Sequence, residues 1–206
     1  MLDKKISFIK RTGIINDYLV ICDHSSNKIP PKYNNLCISK KIINSHRAFD
    51  IGASEVASEL SNLLECNLVM ANFSRLLIDP NRGYDDPTLI PKISEGEIIK
   101  GNLNISLLKN DKERNKRINN FYQPYHDQIS KFINIAFSEN KIPKILSIHS
   151  FTPIWKGKKR ETDIGILWDK DDRLSEIFLS SFNNSNIGNN KPYSCLLYTS
   201  PSPRDK

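Results

Sequence analysis

Short apolar runs that stop at a cluster of polar residues recur three times along the chain. Tyr18-Leu19-Val20-Ile21 runs into Cys22-Asp23-His24-Ser25-Ser26-Asn27. Leu76-Leu77-Ile78 lies between Ser74-Arg75 and Asp79-Pro80-Asn81-Arg82. Ile145-Leu146-Ser147-Ile148 runs into His149-Ser150-Phe151-Thr152-Pro153. Unbroken apolar runs of this length predict buried strands, here over 18–22, 68–71, 76–78, 145–149 and 164–168. Between them the period changes. Ala53, Val56, Ala57, Leu60, Leu63 and Leu64 fall on one helical face, in a helix opened by Asp50 at the position of an N-cap. A second helix is predicted over 111–138, with Ile118, Phe121, Tyr122, Tyr125, Ile129, Phe132, Ile133 and Ala136 as its apolar stripe, and Pro124 should kink or restart it. A short helix follows over 173–182. Residues 80–105, punctuated by prolines and glycines, read as one long irregular segment.

Strands alternating with helices predict an α/β fold with a mainly parallel or mixed central sheet flanked by helices. In open sheets of this kind ligands gather beyond the carboxyl ends of the strands. The polar clusters sit at such ends. Two widely separated histidines there, with carboxylates nearby, suggest a metal site.

Composition narrows the class. The 206 residues are 38% hydrophobic, mean hydropathy is −0.45, and no apolar stretch approaches the ~20 residues of a membrane helix. Met1-Leu2-Asp3-Lys4-Lys5 lacks the apolar core of a signal peptide, so a cytoplasmic location is the default expectation. The net charge is +7, but apart from Lys112, Arg114, Lys116, Arg117 and Lys156, Lys158, Lys159, Arg160 the cations are scattered. Both runs read as solvated surface, which disfavours a nucleic-acid binder. Cys22, Cys37 and Cys66 show no CxxC spacing, so neither a disulfide framework nor a cysteine-held zinc is expected. The remaining cysteine opens Cys195–Asp205, a stretch similar to the translation of a sequencing adapter. It is set aside as a non-native tail at 195–206, with 1–194 read as one domain whose native sequence departs near Ser194 and continues.

At this point the motifs carry a resemblance. Cys22-Asp23-His24-Ser25-Ser26-Asn27-Lys28-Ile29-Pro30 resembles the opening motif of the N-formylglutamate amidohydrolase family. So do His46 with Asp50-Ile51-Gly52-Ala53, Ser74 to Arg82, Pro124-Tyr125-His126, Ser147 to Pro153, and Asn189 to Tyr193. The resemblance implies a fold similar to that of zinc carboxypeptidases and a zinc hydrolase that cuts a formamide C–N bond, releasing formate and glutamate. A catalytic zinc takes three protein ligands and leaves a position open. His24 and His149 are the implied nitrogen ligands. The third is open: Asn27 stands where carboxypeptidases carry a Glu, and an amide is a poor ligand. Asp50 is the candidate, with a helix cap as its alternative role, and His46 is a weaker one.

The resemblance further implies that Asp79 orients the first zinc histidine and that Asn81 and Arg82 grip a substrate carboxylate. Arg75 would stabilise the oxyanion or meet a second carboxylate, and Arg160 is a further candidate for that role. His126 is read as structural. No segment resembles the family's general-base motif, and Glu161 and Glu176 lack its context, so the 206 residues alone are expected to turn over little substrate. Arg160-Glu161-Thr162-Asp163 departs from the family's Arg-Pro-Trp-like stretch, and Pro80 is a smaller departure. Alternatives are a zinc hydrolase of another N-acyl amino acid or small peptide, and a non-catalytic dicarboxylate binder.

Overall fold

The computed structural model describes residues 2–106, 108, 111–155, 157–182 and 186–192. Tyr193 of the late motif, Lys156 and the adapter-like tail lie outside them. The chain divides into two compact units, one ending at Ser150 and one beginning at Phe151.

The first unit contains, in chain order, β1 (Leu2–Lys4), β2 (Phe8–Arg11), β3 (Ile15–Cys22), α1 (Lys40–Ile43), α2 (Ala53–Leu63), β4 (Cys66–Ala71), the hairpin β5 (Ile93–Ser94) and β6 (Glu97–Ile98), α3 (Lys112–Arg117), α4 (Gln123–Ser138) and β7 (Lys144–Ser147). Five strands form one mixed sheet in the order β1-β2-β4-β3-β7. β1, β2 and β4 pair antiparallel, while β4, β3 and β7 run parallel. This is the expected class of sheet.

Alternation along β3 explains the two apolar layers. Leu19 and Ile21 point into a core with Val69, Phe73, Tyr125, Ile129, Phe132 and Ile133. Val20 and Cys22 point the other way, to Leu68, Met70, Ala53 and Ala57. With a helix on each face, β4 is buried at all six positions, and its sequence shows no polar alternation.

Several expectations need correcting. Leu76-Leu77-Ile78 is fully buried but is a turn rather than a strand. Ser74 Oγ accepts the Leu76 amide, and Asp79 Oδ1 accepts the Asn81 amide, so side chains satisfy the backbone locally and no ladder is needed. The run at 145–149 is a strand only to Ser147 and is not buried: Ile145 is 41% exposed, because β7 pairs with β3 on one side and with no other described strand. Asp50 does not cap α2. Gly52, at φ 82°, occupies the N-cap, and the Asp50 carboxylate turns toward the histidines. Finally, the cluster at 112–117 is not all solvated, since Arg114 and Arg117 are buried.

Arg117 explains why 80–105 is ordered without regular structure. Its guanidinium donates to Leu77 O at 2.9 Å and to Asn102 Oδ1 at 2.7 Å. The Asn102 amide donates to Leu76 O at 2.8 Å and Pro91 O at 2.7 Å. Gly101 lies against Leu36, where a Cβ would stand 2.7 Å from the Leu36 Cα. Leu36 is itself in a left-handed run with Asn34, Asn35 and Cys37. The predicted break at Pro124 is a π-helical stretch, Ile118–Tyr122, which joins α3 to α4. A wide turn at that point accommodates a ring with no N–H to donate.

The second unit holds β8 (Ile154–Trp155) and β9 (Lys158–Lys159) as a hairpin, then β10 (Ile164–Ile166), α5 (Arg173–Ser181) and β11 (Ile187–Asn189). β10 and β11 pair in parallel. The strand expected to reach Trp168 stops at Ile166. No described helix is long and apolar enough to cross a membrane.

Candidate metal centre

β3 and β7 are parallel neighbours, so their carboxyl ends lie side by side. Pairing continues one step past β7, with the Ile148 amide donating to Ile21 O at 2.9 Å. That brings His149 beside His24, their rings 5.0 Å apart in an edge arrangement. The Asp50 amide donates to His24 O at 2.9 Å, which draws the residue before α2 into the same place.

The three side chains converge. Asp50 Oδ2 lies 3.0 Å from His149 Nδ1 and 3.4 Å from His24 Nδ1, and it also accepts the Ser150 amide at 3.2 Å. One ligand atom from each of His24, Asp50 and His149 lies within 4.8 Å of the others. His24 and Asp50 are buried and His149 is exposed, so the cluster opens to solvent at His149.

Asp79 stands behind His24, with Oδ1 2.8 Å from Nε2. This hydrogen bond assigns the His24 proton to Nε2, and Nδ1 is left buried without a hydrogen-bond partner. A buried imidazole nitrogen with a free lone pair, facing a carboxylate and a second imidazole, fits a divalent metal of the zinc type.

The charges reinforce one another. Burial alone would raise the Asp50 carboxyl, but its contacts with His149 and His24 hold it far below the usual carboxylate range. Asp79 is likewise held low, against its burial, by His24, by Arg75 and by the Asn81 amide. For His149, desolvation by the groups packed around it works against the charged form even though one edge reaches solvent, but contacts with Asp23 and Asp50 prevail and push it up to about 10.

The other candidates fall into three groups. Arg75 joins the cluster: its guanidinium reaches Asp79 Oδ2 at 3.1 Å and Asp50 Oδ1 at 3.5 Å. Asn81 and Arg82 follow directly, with Arg82 Nε 3.9 Å from Asp79 Oδ2 and its side chain a quarter exposed. Arg160 belongs to the second unit, where its guanidinium lies over the Phe151 and Trp155 rings at 5.3 and 5.7 Å. His46 is engaged elsewhere, 2.8 Å from Glu95 on the surface. Asn27 binds Asn44 at 3.0 Å. His126 meets Pro80 O at 3.0 Å and packs on the Tyr122 ring.

Two residues of the cluster escape the sequence reading. Asp23 is buried, with Oδ2 3.5 Å from His149 Nε2 and Oδ1 accepting from the Tyr125 hydroxyl at 2.6 Å. Tyr125 reads in the sequence as part of an apolar stripe and of the Pro124-Tyr125-His126 motif, neither of which gives its hydroxyl a role. The available signal was an acid adjoining His24 with no cation near it in sequence.

A profile of the family described as N-formylglutamate amidohydrolase matches residues 16–202. The crystal structure of gene product Atu2144 from Agrobacterium tumefaciens is 34% identical with a TM-score of 0.85, over 93% of this chain and 76% of that one. The N-formylglutamate amidohydrolase from Ralstonia eutropha JMP134 is 18% identical with a TM-score of 0.65, over 94% of this chain and 79% of that one, a likeness of fold. No curated protein is matched. With a family match over nearly the whole chain, the protein belongs to the N-formylglutamate amidohydrolase family, hydrolases acting on C–N amide bonds.

Proposed function

We propose that this protein is a zinc-dependent amidohydrolase that cleaves the formamide bond of N-formyl-L-glutamate to formate and glutamate. The observation that carries the reading is the convergence of His24 Nδ1, Asp50 and His149 within 4.8 Å, with His24 Nδ1 buried and unpartnered. Those three residues would hold the ion. Zinc bound there would supply Lewis acidity, activating water near neutral pH and polarising the formyl carbonyl.

The chain's own groups do the rest. Asp79 fixes the His24 ring and its tautomer. Arg75, braced by Asp50 and Asp79, presents positive charge where a carbonyl oxygen gains negative charge. Asn81 and Arg82 receive a substrate carboxylate, for which a planar guanidinium fork is suited. N-formylglutamate carries two carboxylates, and on that argument Arg160 is a further partner. We place the enzyme in the cytoplasm, with a small-molecule substrate and no nucleic-acid partner. Because no segment resembles the family's base motif, we expect little turnover from the 206 residues alone.

The departure at Arg160-Glu161-Thr162-Asp163 favours one second reading, the same chemistry on another N-acyl amino acid or small peptide. The test is formate release from N-formyl-L-glutamate, with and without a zinc chelator, from a chain that also carries the family's base motif. Chelator-sensitive formate is expected. No formate from folded, zinc-loaded protein would overturn the substrate, and full activity after metal removal would overturn the zinc.

A further inference from the structure

We infer that Asp23, held by Tyr125, is a positioning residue for the metal centre: it keeps a proton on His149 Nε2 and so turns Nδ1 toward Asp50 and the ion. The inference rests on the zinc reading above.

Its ground is a carboxylate in an expensive place. Asp23 is 1% exposed at the end of β3. A buried carboxylate costs several kcal/mol unless it is hydrogen-bonded or paired. The chain supplies two polar groups, and both are specific. The hydroxyl of Tyr125, a fully buried residue of α4, donates to Oδ1 at 2.6 Å. His149 Nε2 faces Oδ2 at 3.5 Å. A Leu–Phe pair would fill the same space without polar groups, so core packing alone does not call for this arrangement.

The geometry at His149 completes the case. Nε2 faces the Asp23 carboxylate, which can only accept, so Nε2 is the donor; Ser147 Oγ lies beside it at 3.2 Å. Nδ1 is then the nitrogen left for the ion, on the side of Asp50 at 3.0 Å. His24 is built the same way: Nε2 on the buried Asp79 at 2.8 Å, Nδ1 toward Asp50 at 3.4 Å. Each imidazole thus has a buried carboxylate behind Nε2 and presents Nδ1 inward. Carboxylates in this position fix ring orientation and raise ligand basicity, and losing one costs about 10- to 100-fold in metal affinity.

The test compares wild type, Asp23→Asn and Tyr125→Phe. Zinc affinity is read by chelator competition, and the visible spectrum is read with cobalt in place of zinc, both at a temperature where each protein is folded. Asp23→Asn should bind zinc about 10- to 100-fold more weakly and shift the cobalt bands. Tyr125→Phe, which removes the bond that steadies Asp23, should weaken zinc by about threefold or more. A purely structural role would lower the melting temperature and leave affinity and spectrum alone. That result overturns the inference while the zinc reading stands. A folded wild type that takes up no zinc overturns both. If Asp23→Asn does not fold, Tyr125→Phe decides alone, and unchanged affinity and cobalt spectrum in it overturn the inference.

Discussion

At Asp50 a single carboxylate oxygen faces His149 Nδ1, His24 Nδ1 and the Ser150 amide. An amide in its place would keep the shape and lose the charge that a zinc ligand needs. Asp50→Asn should therefore lose stoichiometric zinc on dialysis, read by metal analysis, and retained metal would remove Asp50 from the ligand set. The same contacts set a pH dependence in the metal-free protein. Asp23, Asp50 and Asp79 are held below their usual range by His149, His24 and Arg75, although burial opposes this. Their contribution is present above the unfolded value of 3.8 and lost as pH falls below it. His149 is raised from 6.5 to about 10, so its contribution is full below 6.5 and is lost as pH rises through 10. Chelated protein should be most heat-stable between about pH 4 and 6.5, and a melting temperature that climbs from pH 7 to 9.5 would contradict the charged His149. On the zinc reading the ion would replace the His149 Nδ1 proton, so its stabilising shift should be larger at pH 8 than at pH 6. Asp50 was legible in the sequence as a carboxylate near two histidines. Asp23 was not given a role, because its donor, Tyr125, lies 102 positions away and no local pattern links them.

Elements carry the cluster through backbone, and one tie stands out. Leu76 O and Leu77 O, beside Arg75 and shortly before Asp79, are held by Asn102 and Arg117. Asn102→Leu would strand Leu76 O, Pro91 O and part of the Arg117 guanidinium. It should cost about 2–4 kcal/mol, read by denaturant unfolding, and a loss under ~0.5 kcal/mol would show that the tie is slack. The sequence hid this device twice. Arg117 stood in a run of cations that looks like surface, and 80–105 looked like loop. Burial of a charged residue depends on carbonyls supplied by distant segments, which periodicity does not encode. Strands were read best where both faces are covered, as in β4. They were misread where three apolar residues in a row satisfied their backbone by a turn, and where β7 took the sheet's edge.

For the molecule as a whole, alternating strands and helices gave the mixed sheet, and the polar ends of β3 and β7 gave the place of the cluster, because the two strands run parallel with Ile21 level with Ser147. What the pattern did not show was the division after Ser150, since no proline- or glycine-rich linker marks it. The crowding of acids around two imidazoles also has an effect on the molecule's field. In the metal-free state Asp23, Asp50 and Asp79 face Arg75, Arg82 and a charged His149, three negative charges against three positive. Exchanging one proton for a divalent ion would leave a surplus of one positive charge, at a cluster that reaches solvent at His149 and is therefore screened by salt. A bound ion would thereby turn a charge-balanced cluster into an anion trap. Glutamate or formate should compete for it only in the metal-loaded protein, and more weakly as ionic strength rises.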